Sequence, residues 1–383
     1  MMENESSPSS SSESTPTKRS GPFSPVYSVL VPDAIKNGEA LQFTIKVCKP
    51  DSDEEISSVT RVYDDIEWLQ HCLLTHVKSD GCIIPPLPPR PECDARAAEN
   101  KTKKQLGSES HLIIADDFTK DCRHVEKYFK MITSHEVFGD NDVLKTFLCV
   151  KDAPTRTRLK RGLLNRLTSV VEEARKGQHK DMDDYFQKQR DWANKYTSAM
   201  KETSQNFNQM LYSQMRLGSC YGHLATALTD VTPYKDKHSK DLNKYVIKIH
   251  VSHGMEVLCA NDEKTLGFHL DLYARYMDCV KDMLYRRTML MVAYEDSNKT
   301  LEKAKANKRD AAEAAKRKAE EDFEKCSDVA RRELKVFMQQ RLLSFSEGLS
   351  AFAEAQIKTA RDTYTLLVKT QNSVKQLDLL SLK

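Results

Sequence analysis

The chain has 383 residues, of which 39% are apolar and 30% charged, with a formal net charge of +3. That length suits two or three domains, and no run approaches eighteen apolar residues, so no bilayer-spanning helix is expected. The N-terminus has no apolar core behind a basic start, so no signal peptide is expected and any membrane contact is peripheral.

The small net charge conceals an asymmetry. Residues 28–152 carry 16 Lys/Arg against 22 Asp/Glu, and residues 153–383 carry 41 against 31. A basic back half suits an anionic partner surface, or simply a long solvated helix with surplus lysine. The ten cysteines form no CxxC pair, which fits a reduced compartment. No cofactor and no metal site are expected.

In chain order, residues 1–25 are mostly Ser, Glu, Pro and Thr and are expected to be disordered. Twelve of the thirteen prolines lie at or before Pro154, and no Gly or Pro occurs between Gly267 and Gly348. A mixed domain in front of long helices follows from that contrast. In the front domain, 26–152, "VYSVLVPDAIKNG" and "EALQFTIKVCK" read as strands joined at Asn37-Gly38, a hairpin signal. "EEISSVTRVY" reads as a third strand. Asp64 or Asp65 then caps a helix with apolar positions at Ile66, Leu69, Leu73, Leu74 and Val77. "IIPPLPPRP" (83–91) must be extended, either as a rigid crossover or as an SH3-type ligand. Residues 95–135 read as helical, and "DNDVLKTFL" closes the domain with a packed helix.

The segment 153–177 pairs Arg156, Arg158, Lys160, Arg161 and Arg166 with leucines and valines at three- and four-residue steps. It predicts a basic amphipathic helix for a membrane interface or a docking groove. From 178 to 383, three long helical stretches follow, near 181–228, 234–308 and 310–380, with apolar stripes at roughly heptad spacing. An antiparallel three-helix coiled coil fits, with wide apolar faces that suit dimerisation. Its far tip falls near 302–321, where Lys303, Lys305, Lys308, Arg309, Lys316, Arg317 and Lys318 gather. These residues are either a solvated tip or a contact for acidic lipid. No catalytic or nucleotide-binding motif occurs, so no enzyme is expected. The basic helices lack interleaved exposed aromatics, so no nucleic acid is expected as a partner.

The order of these elements, with "DMLYRRTMLMVAYEDSNKTLEKAKA" (282–306), "IIPPLPPRP" and "SHEVF", resembles the sorting nexins that carry a PX and a BAR domain. Within them it is similar to the retromer-linked subgroup numbered five, six and thirty-two. The resemblance implies an α+β PX domain, a small antiparallel sheet plus helices, followed by an all-α, dimeric BAR domain. It implies a cytoplasmic, non-enzymatic adaptor, peripheral on early endosomes and their tubules, acting in retrieval toward the trans-Golgi. Implied partners are the sorting nexins numbered one and two as heterodimer, anionic endosomal membrane, cargo-receptor tails, retromer and dynein–dynactin. The alternative is a cytosolic coiled-coil scaffold brought to membranes only by a partner.

The resemblance also implies site positions. In lipid-reading PX domains an arginine precedes the aromatic residue at the end of this strand, and the two hold a 3-phosphate and the inositol ring. Here Tyr63 keeps the aromatic, but Val62 stands at the arginine position. Arg61 should point to the opposite face because strand side chains alternate. Arg90 in the proline loop is the remaining cation. Arg61, Tyr63 and Arg90 thus define a degenerate lipid site, and phosphatidylinositol 3-phosphate is not expected to bind. The subgroup's cargo-peptide groove would fall on His124, Val125, Tyr128, Ile132 and Glu136, or these residues are simply the core of a helical hairpin.

Overall fold

A computed structural model describes residues 25–50, 52, 54–76, 79–93, 96, 99, 100, 103, 118–156, 180–231 and 251–376. The expected disordered tail, residues 104–117, most of the basic segment 153–177 and the start of the second long helical stretch (232–250) lie outside the described residues.

Three strands, β1 (Ser28–Asn37), β2 (Ala40–Cys48) and β3 (Glu55–Val62), form an antiparallel sheet in that order. The β1–β2 hairpin pairs Asn37 with Ala40, and Gly38 sits at φ 63, a backbone state that costs glycine little. The register slips between Leu30 and Asp33, at Pro32, whose missing N–H cannot join a ladder. Along β2 the alternation is regular. Leu41, Phe43, Ile45 and Val47 are buried and face the helices, while the residues between them are more exposed.

Helix α1 (Tyr63–His76) leaves β3 without a loop. The Asp65 carboxylate accepts the Val62 N–H at 2.9 Å, the reaching-back half of a capping box. Ile66, Leu69 and Leu73 are buried as the spacing requires, but Leu74, expected among the contacts, faces solvent. Val77 lies outside the described residues. Helices α2 (Thr119–Thr133) and α3 (Asp142–Cys149) complete the front core. The Asn141 side chain caps α3 by accepting the Val143 N–H at 2.9 Å.

Behind them run α4 (Asp184–Val231), α5 (Val251–Asp262) and α6 (Phe268–Glu302), with a π-helical turn, Glu263–Gly267, between α5 and α6. A turn of 3₁₀-helix, Ala306–Lys308, then leads into α7 (Arg309–Gln376). At about 1.5 Å per residue, the 68 residues of α7 span roughly 100 Å. The α6–α7 hairpin is the tip that the alanine-rich, lysine-rich segment predicts.

The apolar stripes divide into two lengths. Met200, Tyr273, Tyr276, Val280, Met283, Leu334 and Phe337 are buried between helices. Farther from the tip, Leu217, Leu224, Leu349, Ile357, Tyr364 and Leu367 are exposed, Tyr364 at 70%. Part of what the sequence presents as core is therefore an exposed apolar face among the described residues.

The two parts are clasped together. A Cβ on Gly81 would lie 2.5 Å from the Cys326 carbonyl oxygen, so only glycine allows this loop to approach α7 so closely. Beside it, Ile83 enters the helical core and its N–H donates to Glu333 at 3.1 Å. Arg286 donates to the Cys82 carbonyl at 2.6 Å, and Arg275 to that of Leu87 at 2.7 Å. Arg123 and Lys120 of α2 pair with Glu263 at 2.7 and 3.2 Å.

Candidate functional site

The β3–α1 junction and the proline-rich loop meet at the face where the resemblance places a lipid headgroup. Tyr63 is buried, and its hydroxyl donates to the Pro88 carbonyl at 2.8 Å. Burial raises its pKa, helped by the nearby Glu67. The Arg90 guanidinium lies over the Tyr63 ring, 4.6 Å from its centre. It also donates to Asp64 at 2.8 Å and to Glu67 at 2.6 Å. Arg156, expected on the membrane, reaches back instead. Its Nη1 is 3.1 Å from Asp64 and its Nε 3.1 Å from Asp65. Carboxylates thus stand where a phosphate would need free cations.

Arg61 does not belong to this face. It is 1% exposed and lies against the Phe147 ring, 5.0 Å from its centre. Its guanidinium donates to the carbonyls of Thr60 (2.9 Å), Lys151 (3.1 Å), Phe147 (2.8 Å) and Val150. Three of those four follow from the C-terminal end of α3, where unsatisfied carbonyls and the helix dipole favour a cation. Its assignment to a lipid site is corrected: it is a fold-holding residue on the opposite face, as strand alternation requires.

The cargo-groove positions are likewise occupied. Val125 and Ile132 lie in the front core, and the Tyr128 hydroxyl donates to Gln70 at 2.7 Å. His124 is buried against Phe268 of α6, ring centres 4.8 Å apart, with Arg275 Nη2 3.2 Å from its Nδ1. Burial, and then the Arg275 charge, push its pKa down to about 3, so it is neutral. Only Glu136 of the five is exposed. The reason is packing: α2 turns this face inward, toward the sheet and α6, leaving no open groove on these residues.

At the tip the situation reverses. Lys303, Lys305, Lys308, Arg309, Arg317 and Lys318 are exposed and Lys316 half-buried. None of the seven forms an ion pair among the described residues. Arg158, Lys160, Arg161 and Arg166 lie outside the described residues.

Two further features escape a sequence reading. Cys82, His135 and Glu333 bring potential metal-ligand atoms within 4.8 Å of one another, the one such trio found among the described residues. The hydrogen bonds argue for a clasp instead. The Val137 N–H donates to His135 Nδ1 at 3.1 Å, which puts the proton on Nε2, 3.3 Å from Glu333. A metal at Nε2 would require losing that proton while Nδ1 is already an acceptor. Burial also pushes the Cys82 thiol up to about 12. The second feature is a buried ion pair at the start of α4. Arg287 donates to Asp181 at 2.6 Å, bonds Ser327 at 2.9 Å and lies 3.5 Å from the centre of the Phe186 ring. The adjacent Arg286-Arg287 in an otherwise apolar run was the available signal.

Comparison with known proteins agrees with this architecture. The PX domain family matches residues 49–151 and the BAR domain family residues 162–376. Human sorting nexin-6 is 27% identical over 366 residues, covering 88% of this chain and 89% of its own. Mouse sorting nexin-32 is 28% identical over 376 residues, covering 91% and 92%. The cryo-EM structure of the SNX-BAR Mvp1 tetramer aligns with 91% of this chain and 99% of its own, at 15% identity and a TM-score of 0.40. With a BAR match across more than half of its length and a PX match in front, the chain belongs to the PX-BAR sorting nexins.

Proposed function

We propose that this protein is a non-enzymatic adaptor of endosomal sorting that contacts anionic membrane through the basic tip of its BAR helices and does not read phosphatidylinositol 3-phosphate through its PX domain. The observation that carries this reading is the tip, where seven cations gather at one extremity without acidic partners among the described residues. Each cation near an anionic leaflet gains up to about 1 kcal/mol, so a dimer doubles a useful term. The exposed apolar stripe on α4 and α7 supplies a face for that dimer. Its partner in this reading is another PX-BAR sorting nexin, of the types numbered one or two, and the pathway is retrieval toward the trans-Golgi.

The PX half of the proposal rests on Val62, which supplies no cation, and on Arg90, which is already held by Asp64 and Glu67. Cargo capture is not assigned to His124, Val125, Tyr128 and Ile132, because their side chains pack within the protein. The occupied PX face favours one competing reading, a scaffold recruited to membranes wholly by its partner. Sedimentation and tubulation of phosphatidylserine vesicles decide between them, using this chain alone and then with a lipid-binding PX-BAR partner. Binding by the chain alone, lost in high salt, is expected. Binding only with the partner present would give the scaffold reading instead.

A further inference from the structure

The loss of phosphate reading accounts for Val62, but it does not account for Arg156. This residue follows the PX core and opens a stretch, 155–177, with seven Lys/Arg against two Glu. Its guanidinium is directed at the PX domain by two carboxylates at once, Asp64 and Asp65, each 3.1 Å away. Asp65 is no floating surface acid. Its side chain is 3% exposed, and its other oxygen is fixed by the Val62 N–H. The second oxygen of Asp64 takes Arg90 at 2.8 Å. Asp64 therefore bridges the proline-rich loop and the start of the basic stretch, standing between two guanidinium groups as a phosphate would.

We infer that the remnant lipid face is an intramolecular latch: Asp64 and Asp65 hold Arg156, at the head of the basic stretch, against the PX domain in competition with anionic lipid headgroups. This rests on the membrane-contact reading above. The chemistry suits reversible use. Arg156 and Asp64 are both about half exposed, so water and salt weaken their hydrogen-bonded pair, while the buried Asp65 adds a nearby charge without a hydrogen bond. One hydrogen-bonded carboxylate and a second one close by make a pair weak enough for a surface of many headgroups to displace. The acidic excess of the front domain and the basic excess of the stretch act in the same direction.

The test uses the full chain as wild type, Asp64→Asn, Arg156→Gln and the double variant. Without lipid, amide hydrogen exchange across Lys151–Arg156 should quicken about threefold in each single variant, the scale of one exposed ion pair. Against phosphatidylcholine vesicles containing phosphatidylserine, Asp64→Asn should raise affinity about threefold, and that gain should vanish in the Arg156→Gln background. Wild-type exchange rates in both variants would overturn the latch whatever the vesicles do. Faster exchange with no change in vesicle affinity would overturn the competition with lipid. If no protein sediments at all while exchange quickens, the membrane reading fails and takes the competition with it, leaving only an internal contact.

Discussion

Two cation-bearing regions of this molecule differ in what their charges meet. On the PX face, Arg90 is flanked by Asp64 and Glu67, and Arg156 by Asp64 and Asp65. At the tip of the α6–α7 hairpin, seven cations have no acidic partner among the described residues. A count of Lys and Arg would rank both as anion sites. Pairing separates them, because a cation already bonded to carboxylates gains little from a phosphate that must first displace them. The same rule extends inward, where Arg61 and Arg287 are wholly committed to the fold. Paired arginines should therefore govern stability, and unpaired ones membrane affinity.

The largest effect is expected at Arg287. Truncation to alanine leaves Asp181 buried and unpaired, at a cost of about 3–5 kcal/mol in urea unfolding. Among molecules that remain folded, vesicle affinity should be unchanged. A comparable loss of lipid binding in the folded fraction would erase the distinction between the two classes. The converse experiment replaces Lys303, Lys305, Lys308 and Arg309 with alanine. Affinity for phosphatidylserine vesicles should fall by up to about 1000-fold, from four cations each contributing up to about 1 kcal/mol. The unfolding midpoint should stay where it is, since none of the four is buried.

His124 tests the rule through a group kept neutral. Its pKa in the folded chain is about 3, below the ordinary histidine value, so acid favours the unfolded state. The stability this provides is complete above about pH 6.5 and is lost progressively as pH falls toward 3. The loss is about 1.4 kcal/mol per pH unit, or about 2 kcal/mol by pH 5. His124→Asn should flatten that part of the profile. An unchanged acid slope in the variant would show that other groups set it.

These residues also show where the sequence was legible. Strand alternation along β2, the Asn37-Gly38 hairpin and the run without Gly or Pro between Gly267 and Gly348 carry the fold in local pattern, and the structure follows them. Alternation likewise placed Arg61 away from Val62. What pattern could not carry was partner identity across long separations. His124 and Tyr128 look like exposed anchors by family position, yet α6 lies over one and Gln70 bonds the other. Arg156 reads as a membrane residue by composition, but residues 92 and 91 positions earlier in the chain hold it. Glu333 gives no hint in sequence that it will accept the Ile83 N–H from 250 residues away.

The smallest expected effect is the most discriminating. Val62 stands where a lipid-reading PX domain has arginine, so Val62→Arg restores the missing side chain. If residue type alone decided the site, binding to phosphatidylinositol 3-phosphate vesicles would appear. On this face, though, Asp64 and Glu67 already take Arg90, and Asp64 takes Arg156 as well. A new arginine beside them would meet the same acids. Val62→Arg alone should therefore leave affinity for these vesicles within about twofold of wild type, the difference one exposed, screened charge makes. Adding Asp64→Asn and Glu67→Gln frees both arginines over the Tyr63 ring, and only the triple variant should gain specific binding. Full recovery by Val62→Arg alone would mean that the missing arginine, and not the pairing around it, silences the site.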